Sequence, residues 1–467
     1  MSRGISSGLY EAMRWFIGLA LGFYFRRIER FHAERVPQEG PVLFAANHPN
    51  SLTDSFVLGA SVGRKVNFVA TVQLFRFKPV KWLLTHCGVI PINRLKDDPK
   101  SMRTVADTFE ACFRTLEAGE AIGIFPEGIT YDDAQLKEVK SGVARMALEL
   151  EHRHNGKLGL QIVPVGLTYS AKERYRSDVL VHFGEGIRVA DFLEGYTERR
   201  KECISRLTAE VVARLQSLIL HLPAVEHAWV IAGVKRLYLE RLLVGNSVVR
   251  EPISPRAEEL LLTQAIAEAV EHIYRTQPER AEAFAVKLGL YERQLQRLRI
   301  SDEQLKLFPD PRKLWIHNGA LALIAFIGAP IALYGWLHRL LPFMVVKWAM
   351  RRFPEPGKRK AQASTAAIVA GIVAFGVCYG LYVLCFHLLF GLPASFWYAL
   401  SLPPASLLAH YYLREMRSLV AGVRNAWVLL RAPLAVRRLL KMREEMIAEI
   451  ETVRKERAQA RGGQPVS

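Results

Sequence analysis

Residues 42–54 read Val42-Leu43-Phe44-Ala45-Ala46-Asn47-His48-Pro49-Asn50-Ser51-Leu52-Thr53-Asp54. A short apolar run bounded by polar turn residues is typical of a strand buried on both faces of a parallel sheet. An imidazole titrates near neutral pH, and a carboxylate bonded to one ring nitrogen fixes its tautomer and raises its basicity. We therefore interpret His48 as a general base that takes a proton from a substrate hydroxyl, with Asp54 beside it. The alternative is an ordinary loop hydrogen bond.

The composition combines apolar segments with an excess of positive charge. The 467 residues are 50% hydrophobic and carry a formal net charge of +18. Long apolar runs beside basic clusters favour membrane lipids as the partner. Nucleic acid is not expected, because the sequence lacks the basic and aromatic interleaving that stacks bases. The five cysteines form neither a CxxC pair nor a metal-ligand pattern, which indicates a reduced chain that faces the cytosol.

The alternation of strand and helix patterns predicts an α/β domain over residues 32–222, with a mixed, mostly parallel sheet flanked by helices. The expected strands are 41–46, 66–71, 121–125, 160–166 and 178–183, and the expected helices are 54–63, 100–118, 138–153 and 195–221. Residues 1–31 predict an interfacial amphipathic helix, and a helix packed on the domain is the alternative. No secretory signal is predicted, because Glu11 and Arg14 interrupt the first apolar run.

The remainder of the chain predicts helices in three regions. Residues 223–312 are expected to form a helical accessory region, and residues 413–467 a basic amphipathic tail broken at Pro433. Between them, 313–412 predict an α-helical membrane region, in which 366–412 are long enough for a two-span hairpin turning near Gly391. We expect 314–349 to be a re-entrant segment bent near Pro330 or Pro342, since this keeps the basic flanks on the cytosolic side. A buried helical core is the alternative.

Three further motifs each end a strand-like run. Gly88-Val89-Ile90-Pro91-Ile92-Asn93-Arg94 ends in an arginine, whose planar fork suits a phosphate. Phe125-Pro126-Glu127-Gly128 carries a glycine at which the backbone can approach a ligand closely. Val163-Pro164-Val165-Gly166 is the third motif. Each motif taken alone is equally typical of an ordinary turn or strand end.

The four blocks in this order resemble the glycerol-phosphate acyltransferase superfamily, membrane enzymes that acylate glycerol 3-phosphate and lysophosphatidate. The resemblance covers residues 38–190 and looks most like the branch that acylates glycerol 3-phosphate and dihydroxyacetone phosphate. It implies that His48 deprotonates the acceptor hydroxyl, that Asp54 orients His48, and that Glu127 helps to place the acceptor. The substrate-binding residues it implies are Asn47, Gly88, Ile90, Arg94, Phe125, Pro126, Gly128, Lys140, Arg145 and Pro164.

Among these, Arg94 would bind the acceptor phosphate, and Pro164 would lie beside the acyl donor. Lys140 and Arg145 would add positive charge near the phosphate, a solvated basic face being the alternative. One feature departs from the family pattern. The family has four residues between the His and the Asp, whereas five separate His48 from Asp54, and Thr53 occupies the family's Asp position. Neither spacing puts both side chains on one helix face, so the pair is expected to meet across a turn.

The resemblance implies a membrane-bound O-acyltransferase that acts on the sn-1 hydroxyl of glycerol 3-phosphate, or on dihydroxyacetone phosphate. Its co-substrate would be acyl-CoA or acyl carrier protein, with no metal or other cofactor. Two alternatives stay open, which are sn-2 acylation of lysophosphatidate and a non-catalytic lipid-binding membrane protein. The catalytic domain is expected on the cytosolic face of the membrane. A bacterial inner membrane is favoured, and the endoplasmic reticulum is the alternative.

Overall fold

The structure is a computed structural model, and it describes residues 3–92, 102–130, 136–221, 225–246, 254–306 and 311–460. The chain divides into two compact units. The first unit comprises Met1–His221, Ser254–Ala257 and Val346–Ile372. The second unit comprises Leu222–Ile253, Glu258–Val345 and Val373–Ser467. Residues far apart in the sequence, including a segment after residue 345, thus contribute to the first unit.

An eight-stranded, mostly parallel sheet forms the centre of the first unit. Its strands are β1 (Arg27–Phe31), β2 (Val42–Ala46), β3 (Val66–Thr71), β4 (Ile90–Ile92), β5 (Ala121–Ile124), β6 (Gln161–Tyr169), β7 (Asp178–Phe183) and β8 (Ile187–Arg188). The order is β1-β7-β6-β2-β5-β3-β4, with β8 paired to β6. Among the described strands, β6 pairs antiparallel with β7 and β8, and the other pairs are parallel. The predicted mixed, mostly parallel sheet is confirmed.

The unbroken apolar run of β2 follows from its place in this sheet. β2 lies between β5 and β6, and all five of its residues are buried. Leu43 and Ala45 belong to a core shared with helices α4 (Met102–Glu117), α5 (Gly142–Arg153) and α6 (Arg200–Leu218). Because β2, β5 and β6 run parallel, their carboxyl ends meet at one edge of the sheet, where α/β proteins commonly bind ligands.

The N-terminal segment corrects one prediction. Helix α1 (Arg3–Tyr24) ends before residue 31, and Arg27–Phe31 form edge strand β1, which pairs in parallel with β7. In the sequence, three charged residues hide the strand pattern of Arg27–Phe31, although Glu29 is only 9% exposed in the fold. Helix α1 packs on α2 (Leu52–Ser61) with Leu21 buried, while Trp15 on α1 is 70% exposed. Because one side of α1 is packed while Trp15 is exposed, the interfacial helix stays a prediction, with the helix ending at Tyr24.

The remaining helices include one in the first unit and a series that begins at residue 228. α3 (Lys78–His86) belongs to the first unit. The later helices are α7 (Ala228–Asn246), α8 (Pro255–Thr276), α9 (Pro278–Leu298), α10 (Asp302–Lys306), α11 (Pro311–Arg352), α12 (Arg359–Arg431) and α13 (Pro433–Ala460). Within the second unit, α13 packs against α7 and α9. The buried Asp302 accepts hydrogen bonds from the Tyr291 hydroxyl and from Arg443 Nε, at 2.5 and 3.0 Å, which joins α9, α10 and α13.

Within the part of the chain that the structure describes, two helical segments are long and apolar enough to cross a membrane, Phe326–Arg352 in α11 and Arg359–Arg417 in α12. α11 continues through Pro330 and Pro342 as one helix, so the re-entrant bend predicted for 314–349 is corrected to a single long helix. Proline is tolerated inside apolar helices when neighbouring helices satisfy the freed backbone groups. Gly335 supports such close packing, because a Cβ at this position would lie 2.0 Å from the Ala405 carbonyl oxygen.

Helix α12 reverses direction at Gly391, whose φ of 78° and ψ of 178° are not helical. The rings of Phe386 and Tyr398 stack with their centroids 4.3 Å apart. A continuous helix would separate residues twelve positions apart by about 18 Å. The apolar part of α12 is therefore a hairpin with two arms.

Candidate active site

His48 and Asp54 meet at the carboxyl end of β2, across the turn that leads into α2. His48 Nδ1 lies 2.9 Å from Asp54 Oδ2. The Asp54 side chain is fully buried, and that of His48 is 17% exposed. Because Nδ1 engages the carboxylate, Nε2 is the nitrogen through which His48 can accept a proton.

The extra residue between His48 and Asp54 is absorbed at Ser51. Its φ of 52° and ψ of −138° lie in a region that non-glycine residues rarely adopt, at a cost of about 1–3 kcal/mol. The Asp54 N–H donates to the Ser51 carbonyl at 3.0 Å, and the Asn50 N–H donates to Asp54 Oδ2 at 2.7 Å. Thr53, which holds the family's Asp position, is fully buried and bonds residues other than His48. This turn allows Asp54 to contact His48.

Tyr169, at the end of β6, is a site residue that sequence reasoning did not place. Its hydroxyl donates to Asp54 Oδ1 at 2.7 Å. Burial, and then the neighbouring Asp54 carboxylate, raise the pKa of Tyr169 well above its ordinary value, so the hydroxyl remains a donor. Asp54 is thus oriented by three groups, on His48, Asn50 and Tyr169. The available signal was that the carboxyl ends of neighbouring parallel strands meet at one edge.

Two residues that follow β5 support His48. The Phe125 ring stacks on the imidazole with centroids 4.2 Å apart and planes 15° apart. Glu127 is buried, and its two carboxylate oxygens accept the N–H groups of His48 and Lys137 at 2.7 and 2.8 Å. Burial raises the pKa of Glu127, and these two backbone donors partly offset the rise. Since both oxygens bind backbone, Glu127 supports the His48 loop, and its part in placing the acceptor stays a prediction.

The sequence profile of the acyltransferase family matches residues 27–168, from β1 to the penultimate residue of β6. Residues 27–168 form an acyltransferase domain. The resemblance to the glycerol-phosphate acyltransferase superfamily is thereby confirmed, and the His48–Asp54 pair lies inside the matched span.

Three relatives extend this comparison. An uncharacterized acyltransferase of Schizosaccharomyces pombe is 23% identical over 384 residues, which are 64% of this chain and 55% of the relative. Glycerol-3-phosphate O-acyltransferase 1 of Saccharomyces cerevisiae is 24% identical over 318 residues, which are 50% of this chain and 42% of the relative. The 1-acyl-sn-glycerol-3-phosphate acyltransferase of Borreliella burgdorferi is 24% identical over 191 residues, which are 40% of this chain and 70% of the relative. The chain spans about half the length of the two yeast proteins.

Several predicted substrate-binding residues are part of the scaffold of the acyltransferase domain. The Leu167 N–H donates to Asn47 Oδ1 at 2.7 Å, and Asn47 Nδ2 donates to the Leu167 carbonyl at 3.1 Å. Ile90 is buried in the core of the domain. Pro164 is buried in β6 opposite Ala45 of β2. These three residues hold strands together at the site.

The structure describes only some of the residues that were predicted to bind the phosphate. Arg94 lies outside the described residues. Lys140 donates its backbone N–H to the Pro126 carbonyl at 3.0 Å, and a Cβ on Gly128 would lie 2.9 Å from Lys140 Nζ. The Lys140 ammonium is therefore beside the Phe125–Gly128 turn. Arg145 is exposed on α5, and its part in phosphate binding stays a prediction.

Gly88→Ala is expected to destabilise the acyltransferase domain. Gly88 has a φ of 78°, and an added Cβ would lie 2.1 Å from Asn67 Oδ1. Asn67 would have to release the Ala121 carbonyl, to which its Nδ2 donates at 3.1 Å. Left-handed strain and a lost buried hydrogen bond together cost about 2–4 kcal/mol. The thermal unfolding midpoint of the protein in detergent measures this loss.

Gly119→Ala is the matched control, because Gly119 has a φ of 73° but nothing within 4 Å of an added Cβ. We expect it to show the strain alone, about 1–2 kcal/mol. Equal midpoints for the two variants would mean that Asn67 adjusts freely and that the contact does not matter.

Proposed function

We propose that the chain is a membrane-bound O-acyltransferase that transfers a fatty acyl group from a thioester donor to the sn-1 hydroxyl of glycerol 3-phosphate. The observation that carries this proposal is the 2.9 Å contact between His48 Nδ1 and the buried Asp54 carboxylate, within an acyltransferase domain. The acceptor follows from similarity to a relative named glycerol-3-phosphate O-acyltransferase 1. Dihydroxyacetone phosphate is a further acceptor to be tested.

The proposed chemistry uses His48 as a general base. Its Nε2 takes the proton from the acceptor hydroxyl while the oxygen attacks the thioester carbonyl carbon, and Asp54 stabilises the imidazolium that forms. The tetrahedral intermediate then collapses, the carbon–sulfur bond breaks, and the thiol leaves with the proton returned by His48. The acyl group passes directly from donor to acceptor, so the protein itself is not acylated. Acyl-CoA or acyl carrier protein is the co-substrate, and the scheme assigns no step to a metal.

The phosphate of the acceptor needs positive charge near the site. Lys140 supplies one cation beside the Phe125–Gly128 turn. The family resemblance assigns a second contact to Arg94, whose guanidinium can bond two phosphate oxygens at once.

The apolar helices support a membrane location. Of the apolar windows in Phe326–Arg352 and Arg359–Arg417, only 28% and 17% respectively are buried within the protein. Core helices of soluble proteins are mostly buried, so these surfaces suit lipid. Basic residues over 347–360, where the first segment ends and the second begins, favour the cytosolic side. We propose a bacterial inner membrane, with the endoplasmic reticulum as the alternative.

Acylation of lysophosphatidate at sn-2 is the second candidate. It is favoured by the Borreliella burgdorferi relative, 70% of whose length the match covers. A non-catalytic lipid-binding protein is the third, and it was suggested by the altered spacing between His48 and Asp54. The contact between those two side chains counts against this third candidate.

The test is acyl transfer by the full chain in detergent, with labelled palmitoyl-CoA and one acceptor at a time. Glycerol 3-phosphate, dihydroxyacetone phosphate and lysophosphatidate are offered separately, and a reaction without acceptor measures thioester hydrolysis. We expect glycerol 3-phosphate to give a 1-acyl product. Turnover of lysophosphatidate alone would establish the second candidate. If the folded protein acylates no acceptor with either acyl-CoA or acyl carrier protein, the enzyme proposal is wrong.

A further inference from the structure

We propose that Ser364 and Thr365, at the start of α12, are positioning residues that hold the turn between His48 and Asp54 in its reactive geometry. The inference rests on the proposed function, because both residues act through His48. It makes the reaction depend on the packing of a helix that is long and apolar enough to cross a membrane. Both residues belong to the first unit, within Val346–Ile372.

The contacts form a buried cluster of hydroxyl groups around Thr53. Thr53 Oγ1 lies 3.0 Å from Ser364 Oγ and 2.9 Å from Thr365 Oγ1. The Thr53 N–H also donates to Thr365 Oγ1, at 3.2 Å. The Thr53 and Ser364 side chains are fully buried. A buried hydroxyl group without a hydrogen-bond partner costs free energy. The cluster therefore favours the one arrangement in which its hydroxyl groups are bonded to each other.

A second contact extends the network to Asp54. Ser364 Oγ donates to Asn50 Oδ1 at 2.8 Å, and Asn50 is also fully buried. The Asn50 N–H donates to Asp54 Oδ2 at 2.7 Å, and the same oxygen contacts His48 Nδ1 at 2.9 Å. A continuous path of hydrogen bonds therefore runs from α12 to the imidazole, through one asparagine and one carboxylate.

The backbone of the turn explains why it needs this support. Ser51 has a positive φ of 52°, and strained backbone persists only where the surrounding contacts over-determine it. Asn50 and Thr53, which flank Ser51 on either side, are the two residues that contact Ser364 and Thr365. Without these hydroxyl groups the turn can relax, and Asp54 loses its alignment with His48.

The test compares Ser364→Ala/Thr365→Val with the wild type, as full-length proteins in one detergent. We measure kcat, the KM for glycerol 3-phosphate, and the pH profile of kcat/KM. We expect kcat to fall about 10–100-fold, part of the 10²–10⁴-fold contribution of a positioned base. KM should change less than about threefold, and the pH profile of kcat/KM should differ from that of the wild type, because the base is no longer held against its carboxylate partner.

Two controls separate positioning from general damage. Thr365→Ser as a single variant keeps a hydroxyl at this position, and its kcat should be near the wild-type value. Ser395→Ala removes a buried hydroxyl from α12 that bonds the Gly391 carbonyl, and it should leave the pH profile unchanged. Should the double variant not fold, Thr365→Val alone carries the comparison.

The possible outcomes are distinct. If the wild type acylates no acceptor, the proposed function fails first. If the wild type is active and the double variant keeps its kcat and pH profile, the positioning inference alone is wrong. A loss of kcat equal to that of Ser395→Ala would also overturn it, because the effect would not depend on Thr53.

Discussion

His48→Ala is expected to lower kcat for acyl transfer by about 10³-fold, in the middle of the range for a positioned general base. Without Nε2, no group at the end of β2 takes the proton from the acceptor hydroxyl at the moment of attack. The KM for the acceptor should change little, because the substitution removes a group that acts in the transition state. Initial rates with labelled palmitoyl-CoA measure both constants.

The control for this variant is His86→Ala. His86 lies on α3 in the same unit, and its Nδ1 bonds the Trp82 carbonyl of its own helix at 2.7 Å. We expect its kcat to stay within about twofold of the wild type, as for a half-buried residue outside the site. Folding of His48→Ala is checked by its unfolding midpoint, since the ring also stacks on Phe125. More than a tenth of wild-type activity in a folded His48→Ala would refute the role of His48.

Asp54→Asn is expected to lower kcat by about 10²-fold or more. The substitution keeps the shape of the side chain and removes its charge. The Asn50 N–H donates to the same oxygen that contacts His48 Nδ1, so the amide oxygen takes that position and the amide nitrogen faces the Tyr169 hydroxyl, which can accept. His48 keeps its tautomer, and the positive charge that develops on the imidazole loses its partner. Turnover is measured with the acceptor that the wild type prefers.

Asp302→Asn is the matched control for Asp54→Asn. Asp302 is likewise a buried carboxylate that accepts a tyrosine hydroxyl, that of Tyr291. It lies in the second unit, and its substitution is expected to lower the unfolding midpoint but to leave the kcat of the folded protein within about twofold. A similar drop in kcat for both variants would attribute the Asp54 effect to lost stability.

Five of the eight described strands and the order of the motifs could be predicted from the sequence. Val42–Ala46 form an unbroken apolar run, because helices cover both faces of the sheet around β2. The edge strand β1 was missed, since its charged residues mask the alternation that a short strand shows. The continuous helix α11 was missed because proline is a local signal for a bend, and distant packing overrides it.

The candidate site also has features that the sequence predicted and features that it did not. His48 and Asp54 were found because an imidazole and a carboxylate close in sequence can meet only across a local turn. The backbone contacts of Glu127 and Asn47 join residues from neighbouring strands and turns, which the sequence alone does not bring together. Their substrate-binding roles stay predictions. Arg94 remains a prediction from the family resemblance.

By itself the sequence determined the buried strand Val42–Ala46 and the superfamily, and it predicted His48 as the base. These rest on local patterns, in which each residue reports its own burial or the chemistry of its near neighbours. Only the tertiary structure decided that Tyr169 orients Asp54 and that Ser364 and Thr365 hold Thr53. These contacts join residues 115 and more than 300 positions apart, and hydroxyl groups carry no pattern that reveals a distant partner.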